Sequence, residues 1–518
     1  MFLNRTACGR LLAAAFAAAA LAACSGERGT LPQTGFAAPG YLRTTALRFS
    51  AIKRQPPVPM WMAFLMTDGS VVTQGNQGNN WYRYAPDASG DYSDGTWTQI
   101  ATLQSGYAPS AFSSEVLADG RLLITGGEYN SPGNGYFLQL TNLGSVYDPV
   151  KNTWTPLGHP HRWKWIGDSP STILPDGRVL LGDKLHKWDA SLDPVTLHWT
   201  SASDAGKADF NAEEGWTLLP DGTVLTADVK NAPNSEVYDP TTWRWKSAGS
   251  TIVDLHSSDG GGCVKYGPGK HDCYYPPGEI GPAILRPDGT VFYTGSGSGP
   301  SGYSAGHTAI YYTTGSAAGT WSVGPDFPNR DNAGDSYAVL EPSGNVLVFG
   351  VTGAIYEWNG STLTQVSGAS YSGPPILLPT GQVMMFANSG AVLYTPTGSP
   401  KPSWAPTIKK YPKSVTAGKT YKITGTQFNG LSQAMSFGDE EQNATAYPLV
   451  RITNGASGKV YYARTHDHST MAVATGSKLV WTYFDVPSEI GAGASSLAVV
   501  ANGIASKPVN VTVRASKR

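Results

Sequence analysis

The sequence predicts an all-β protein: a seven-bladed kelch-type β-propeller followed by a small immunoglobulin-like β-sandwich. Three observations carry this. A tight turn recurs seven times between apolar runs, at Asp68-Gly69, Asp119-Gly120, Asp176-Gly177, Asp221-Gly222, Asp288-Gly289, Ser343-Gly344 and Thr380-Gly381. Each turn is followed by two more strand-like segments. Near Pro406 the turn repeat stops and a different alternating pattern begins.

Asp-Gly between β-branched, apolar runs is a strong hairpin signal, because Gly accepts the positive φ the turn demands. A third segment follows most hairpins, often ending in a Tyr or Trp and an acid, as at Tyr147-Asp148, Trp188-Asp189, Tyr238-Asp239 and Tyr356-Glu357. A fourth is marked by Trp97, Trp154, Trp199, Trp245 or Trp321. Four short strands per unit make one propeller blade. The turns are 51, 57, 45, 67, 55 and 37 residues apart, near the kelch period of about 50. The double glycine that marks kelch repeats survives at Gly126-Gly127. Stacking blades in a closed ring buries faces that one blade leaves exposed, and large aromatics supply much of that burial. Residues 41–52, before the first repeat, are expected to close the ring as the outer strand of blade seven.

The chain divides into a leader (1–23), a tether (24–40), the propeller (41–404) and the sandwich (405–518). Arg5 and Arg10 precede an Ala/Leu-rich stretch that ends Leu21-Ala22-Ala23-Cys24. That pattern is a secretory signal peptide. Its last four residues resemble a bacterial lipobox, which implies lipidation of Cys24 and a membrane anchor; the alternative is an ordinary signal peptide with a chance cysteine. Ser25 in the next position implies the outer membrane of a bacterial cell envelope. The following residues are rich in Gly, Pro and Thr, as a flexible tether would be. Loss of the leader leaves 495 residues, ample for two domains. Charged residues make up 14% and the net charge is −1, which offers no electrostatic footprint for nucleic acid. A monomer is expected. Cys8 leaves with the leader, so Cys263 and Cys273 are the pair that matters in the fold. Outside the cytoplasm they read as a disulfide closing a Gly-rich loop; a metal site with His271 and His256 is the weaker alternative, since the spacing matches no common zinc pattern.

Beyond Pro406, alternating runs around Thr420–Thr424, Pro448–Ile452, Val460–Ala463 and Leu497–Val500 fit a sandwich of short strands. With this order of domains, and hairpins such as Leu174-Pro175-Asp176-Gly177-Arg178-Val179, the chain resembles the galactose oxidase and glyoxal oxidase family. That resemblance implies a copper ion held by two tyrosines, one cross-linked to a cysteine, and by two histidines. It also implies a loop of the second domain reaching into the propeller axis with one of those histidines. This chain departs from the pattern. It has no Tyr-His pair. Tyr107 lies twelve residues before its turn, where the family pattern needs eight or nine. The loop after Gly438 reads Asp439-Glu440-Glu441-Gln442-Asn443. His466 and His468 come later; on a strand their spacing would put both rings on one face, able to bind metal or to brace an interdomain contact. Copper is therefore not expected.

At the family's offset from the turn stand carboxylates instead: Asp168, Glu213, Glu279 and Asp335, in four consecutive blades, with Glu214 beside them. Innermost strands converge on the axis, so these acids are expected at one mouth of the channel. They suit a hard cation such as Ca²⁺ or another divalent ion, the hydroxyls of a glycan or other small-molecule ligand, or shared-proton acid–base chemistry. Otherwise they cap strand amides or pair with Arg162, Lys164 or Arg330. Trp163, Trp165, Tyr274, Tyr275 and Tyr337 are the aromatic candidates for stacking on a sugar. The functional expectation is a ligand-binding propeller of the cell envelope without copper-radical catalysis. A divergent copper-radical oxidase and a metal-dependent hydrolase or lactonase are the alternatives.

Overall fold

The computed structural model describes residues 48–516, except 77, 131–139, 258–262, 267–271, 275–277, 298–304, 368–372, 388–389 and 438–441. The leader, Cys24 and most of the tether lie outside the described residues. Of the described helices, none is long and apolar enough to cross a membrane.

Strands alternate along the chain with tight turns and form seven antiparallel sheets in sequence order. Blade 1 runs Met60–Leu65, Val71–Gly75, Asn80–Ala85, Thr96–Gln99, from the axis outward. Blade 2 is Ser113–Val116, Leu122–Thr125, Gly144–Asp148, Thr153–Leu157, and blade 3 is Ser171–Ile173, Val179–Gly182, Asp189–Asp193, His198–Ala202. Blades 4 to 6 begin at Thr217–Leu218, Ala283–Leu285 and Tyr337–Leu340. Blade 7 has Ile376–Leu377, Val383–Ala387 and Gly390–Tyr394, and its outer strand is Phe49–Ala51 from the start of the chain. The register Phe49↔Tyr394 and Ala51↔Val392 closes the ring where the sequence places the closure. From blade 2 to blade 7 the innermost strands of successive blades pack on one another, and the innermost strand of blade 7 packs on that of blade 1. Phe64, Trp81, Phe112 and Val116 join blades 1 and 2 in one apolar cluster.

Each repeat turn is a three-residue loop. In the first, Gly69 N–H donates to the Met66 carbonyl and Met66 N–H to the Ser70 carbonyl, with Gly69 at φ +75°. Asp68 Oδ1 accepts the Ser70 amide at 3.0 Å, and Asp119, Asp176, Asp221 and Asp288 repeat that bond in their own turns. The Asp-Gly pair is thus selected twice, by the acid that caps the loop and by the glycine that turns it.

The outer-strand tryptophans also have one repeated role. Trp154, Trp199 and Trp321 indole N–H groups donate to the carbonyls of Ala101, Gly158 and Ala248, each at the end of the preceding blade, and Trp245 donates to Asp189 of blade 3 at 2.7 Å. The rings of Trp154, Trp245 and Trp321 pack against Tyr147, Tyr238 and Tyr311 of their own blades, with centroids 5.0–5.2 Å apart. An apolar ring with one polar handle suits an interface between blades.

After a 3₁₀ turn at Pro402–Trp404, two further sheets enclose a separate apolar core that includes Val415, Ile423, Phe428, Val450, Phe484 and Val499. This β-sandwich ends with a hairpin whose turn is Asn502-Gly503, both at positive φ. It sits on the turn end of the propeller: Thr465, His468 and Met471 amides donate to the carbonyls of Thr67, Ala118 and Pro175. From it a segment threads the axis. Met435–Phe437 pairs with Tyr337–Leu340 as a fifth strand of blade 6. Gln433 bonds Thr172 at 2.8 Å and the Leu218 amide at 3.0 Å, and Asn443 donates to the Ala63 and Pro375 carbonyls at 2.8 and 3.0 Å. Backbone groups of the inner strands, which a hollow axis would leave without protein partners, are satisfied by this insertion.

Candidate functional site

Each innermost strand starts at one end of the ring and reaches its turn at the other. The sandwich covers the turn end, so the strand starts form the opposite mouth. There Asp168, Glu213, Glu279 and Asp335 come within electrostatic reach of one another, with Glu128 of blade 2 as a fifth carboxyl. Glu213 and Asp335 both hold the left-handed backbone region, at φ +60° and +52°. Their side chains thereby leave the sheet direction at the strand entrance.

One cation organises the floor. Lys184 Nζ donates to Asp168 Oδ2 at 2.5 Å and to Glu213 Oε1 at 2.7 Å, and all three side chains are at least nine-tenths buried. Asp168 Oδ1 is buried without a hydrogen-bond partner among the described residues. Glu128, Glu279 and Asp335 are half-buried and form the rim. Burial raises the carboxyls of Asp168 and Glu279 well above the ordinary range, with repulsion from Glu128 next for Asp168 and from Glu213 next for Glu279. Burial, then Glu213 and Glu128, pushes Asp335 up to about 7. Glu128 is raised by burial against the opposing pull of Lys184. Tyr129, beside it, is raised chiefly by the Glu128 charge. Packed carboxyls of one sign hold protons that isolated ones would release.

Three features differ from the sequence expectation. Glu214 is not at the mouth. It follows Glu213 directly, so its side chain turns into the wall, where Lys207 Nζ bonds both its oxygens at 2.9 and 2.8 Å and Glu236 Oε2 at 2.8 Å. The ion-pair partner of the mouth is Lys184; of the three cations named from sequence, Lys164 instead lies over the Trp165 ring, 5.0 Å from its centroid. Glu128 and Lys184 escaped the sequence reading because only positions before each turn were compared. In an antiparallel hairpin, residues eight or nine after the turn return to the same end, and Glu128 and Lys184 stand there, directly behind Gly126-Gly127 and Gly182-Asp183. Of the aromatic candidates, Trp163 and Tyr337 are buried in the core, and Tyr275 lies outside the described residues.

The two histidines of the sandwich do not form a pair of ligands on one strand face. The strand stops at His466, because Asp467 turns at φ +51°. His466 engages Asp467 through Nδ1 at 2.8 Å and Asp485 through Nε2 at 3.3 Å. His468 is buried, bonds Thr482 through Nδ1 at 2.8 Å and lies parallel to Tyr447. Burial drops its pKa to about 3. His468 braces the sandwich against the propeller through its amide, which donates to the Ala118 carbonyl, while the hydrogen bonds of His466 are to sandwich residues.

The donor set does not fit a copper-radical centre. Cys263 and Cys273 are joined to each other, with Cα atoms 5.3 Å apart, which leaves neither thiol for a tyrosine cross-link. The mouth groups described above are carboxylates, an ammonium and the Tyr129 phenol, whereas a copper-radical centre needs imidazoles and a cysteine-linked tyrosine. The loop residues Asp439, Glu440 and Glu441 lie outside the described residues, as does His271. A shared divalent ion fits no better: among the described residues, the trio of carboxylates near enough for one is Glu214, Asp228 and Glu236, and Lys207 Nζ already bonds two of them.

Neither a protein-family model nor a curated protein matches this sequence. Similar solved structures include a fungal alcohol oxidase of the AA5 family in complex with copper, at 14% identity, TM-score 0.48, covering 90% of this chain and 98% of that one. Another is the extracellular domain of a hybrid two-component system from B. thetaiotaomicron, at 11% identity and TM-score 0.44, covering 89% of this chain and 57% of that one. A third is a catalytically inactive virginiamycin B lyase from Staphylococcus aureus with quinupristin, at 9% identity and TM-score 0.46, covering 67% of this chain and all of that one. At these distances none says what this chain binds; the ring and the site rest on the strand pairing and contacts above.

Proposed function

We propose that this protein is a lipid-anchored envelope protein whose propeller binds a hydroxyl-rich ligand, of the glycan class, at the acidic mouth, without copper-radical chemistry. The observation that carries the reading is the set of carboxyls around Lys184 at the end of the axis opposite the sandwich. Ionised carboxylates accept hydrogen bonds from sugar hydroxyls; protonated ones donate to ring and hydroxyl oxygens. A mouth holding both forms matches groups that both donate and accept. Isothermal titration against a panel of oligosaccharides tests this. Binding that is lost in Asp168→Asn and Glu279→Gln, each still folded by circular dichroism, supports it; binding insensitive to both variants overturns it.

The anchor is part of the same proposal and rests on the Leu21-Ala22-Ala23-Cys24 ending. Cys24→Ala is expected to move the protein from the membrane fraction to the soluble one. An acid–base reaction at the mouth is the second reading, favoured by Asp335, which at about 7 exchanges its proton near neutrality. Turnover of a bound oligosaccharide that Asp335→Asn abolishes while binding persists would establish it.

A further inference from the structure

We infer that the ligand carries an ammonium group, so that the mouth selects amino sugars over their neutral or acylated counterparts. This rests on the sugar reading above and adds a charge to it.

The charge balance is the first ground. Among the described residues, five carboxyls, Glu128, Asp168, Glu213, Glu279 and Asp335, lie within electrostatic reach of the Lys184 ammonium. A neutral ligand leaves that imbalance as it is. A cationic one relieves the repulsion among the acids and lets them ionise. The second ground is independent of the count. Asp168 is 4% exposed, its Oδ2 takes Lys184, and its Oδ1 is buried with nothing to accept from among the described residues. An orphaned acceptor inside a site costs desolvation that a ligand N–H would recover. Repulsion from Glu128 is the largest charge effect on Asp168.

Size decides between an ammonium and a metal. A divalent ion needs several oxygens converging at about 2.1–2.5 Å. Among the described residues, the trio close enough for one lies in the neighbouring Lys207 cluster rather than here. An ammonium bridges separate carboxylates with diverging N–H bonds, as Lys184 does between Asp168 and Glu213 at 2.5 and 2.7 Å. A second ammonium, brought by the ligand, would repeat that arrangement between the floor and the half-buried rim acids Glu128, Glu279 and Asp335.

The test uses three probes on the full mature protein at pH 7 and low ionic strength: a glucosamine tetramer, its fully N-acetylated form, and 1,4-diaminobutane. The expected result is at least tenfold tighter binding of the amine tetramer than of the acetylated one. That preference should collapse in Asp168→Asn and shrink in Glu279→Gln, both checked by circular dichroism and thermal melting. Equal binding of the two tetramers overturns the ammonium preference and leaves the sugar reading standing. Binding of diaminobutane but of neither tetramer overturns the sugar reading and keeps the ammonium. Absence of binding by all three overturns both.

Discussion

At the mouth of the ring, Lys184 neutralises Asp168 and Glu213 in a pocket that water barely enters. Removing one member of a buried ion pair strands its partners, a loss of about 3–5 kcal/mol. Lys184→Met should therefore lower unfolding stability by that amount at pH 8, read from urea transitions, whereas Lys184→Arg, which keeps the positive charge, should lower it by clearly less. An equal loss in both variants would show that the packing of the lysine stem, not its charge, is what matters. The carboxyls themselves set a pH slope. Asp335 has a folded pKa near 7, above the usual carboxyl value of about 4. Between those values the folded state binds a proton that the unfolded state has released, so stability falls as pH rises through this window. Melting temperature is expected to drop from pH 5 to pH 8, and Asp335→Asn should flatten the slope. A stability that rises over the same range would contradict the assignment. The four acids aligned before the turns were legible from sequence because hairpin geometry repeats. Glu128 and Lys184 stand on the returning strand at the same end and were equally readable in principle. Glu214 could not be separated from Glu213 by spacing, because adjacent residues share a position along the strand while their side chains diverge.

Among the elements, Phe49–Ala51 has the largest effect for its length. It pairs three residues with Gly390–Tyr394 and sets Phe49 against Tyr394, ring centroids 5.0 Å apart. Without it, blade 7 ends on an unpaired, apolar edge that invites other strands. A chain beginning at residue 53 is expected to melt several degrees lower and to aggregate in light-scattering assays; an unchanged melt would mean that the ring closes by other contacts. The closing segment was visible in the sequence because seven turns leave the seventh unit one strand short. The axial insertion was visible only as a loop implied by resemblance. Its pairing with Tyr337–Leu340 depends on Gln433, Gln442 and Asn443 meeting carbonyls and hydroxyls of distant blades. No local pattern in a sequence records such long-range partners. The histidines of the sandwich misled for a local reason: alternation along a strand predicts a shared face, and a single left-handed residue, Asp467, cancels it.

On the scale of the whole molecule, propeller and sandwich are one folding problem. The sandwich supplies donors to the turn carbonyls of blades 1, 2 and 3, and its inserted segment reaches inner strands of blades 1, 2, 3, 4, 6 and 7. A chain ending at residue 404 would lose all of these, and inner-strand amides would face a hollow axis. That truncation is expected to be insoluble or molten, shown by lost near-ultraviolet circular dichroism. A soluble, sharply melting propeller would show that the ring needs no insert.

Synthesis runs from the N-terminus, so Phe49–Ala51 leaves the ribosome long before its partner Gly390–Tyr394 exists, and the blades then wait for Met435–Phe437. Until translation is nearly complete, both the seam and the hub of the wheel stay open. A nascent chain in that condition carries an unpaired apolar strand edge and inner-strand amides without partners.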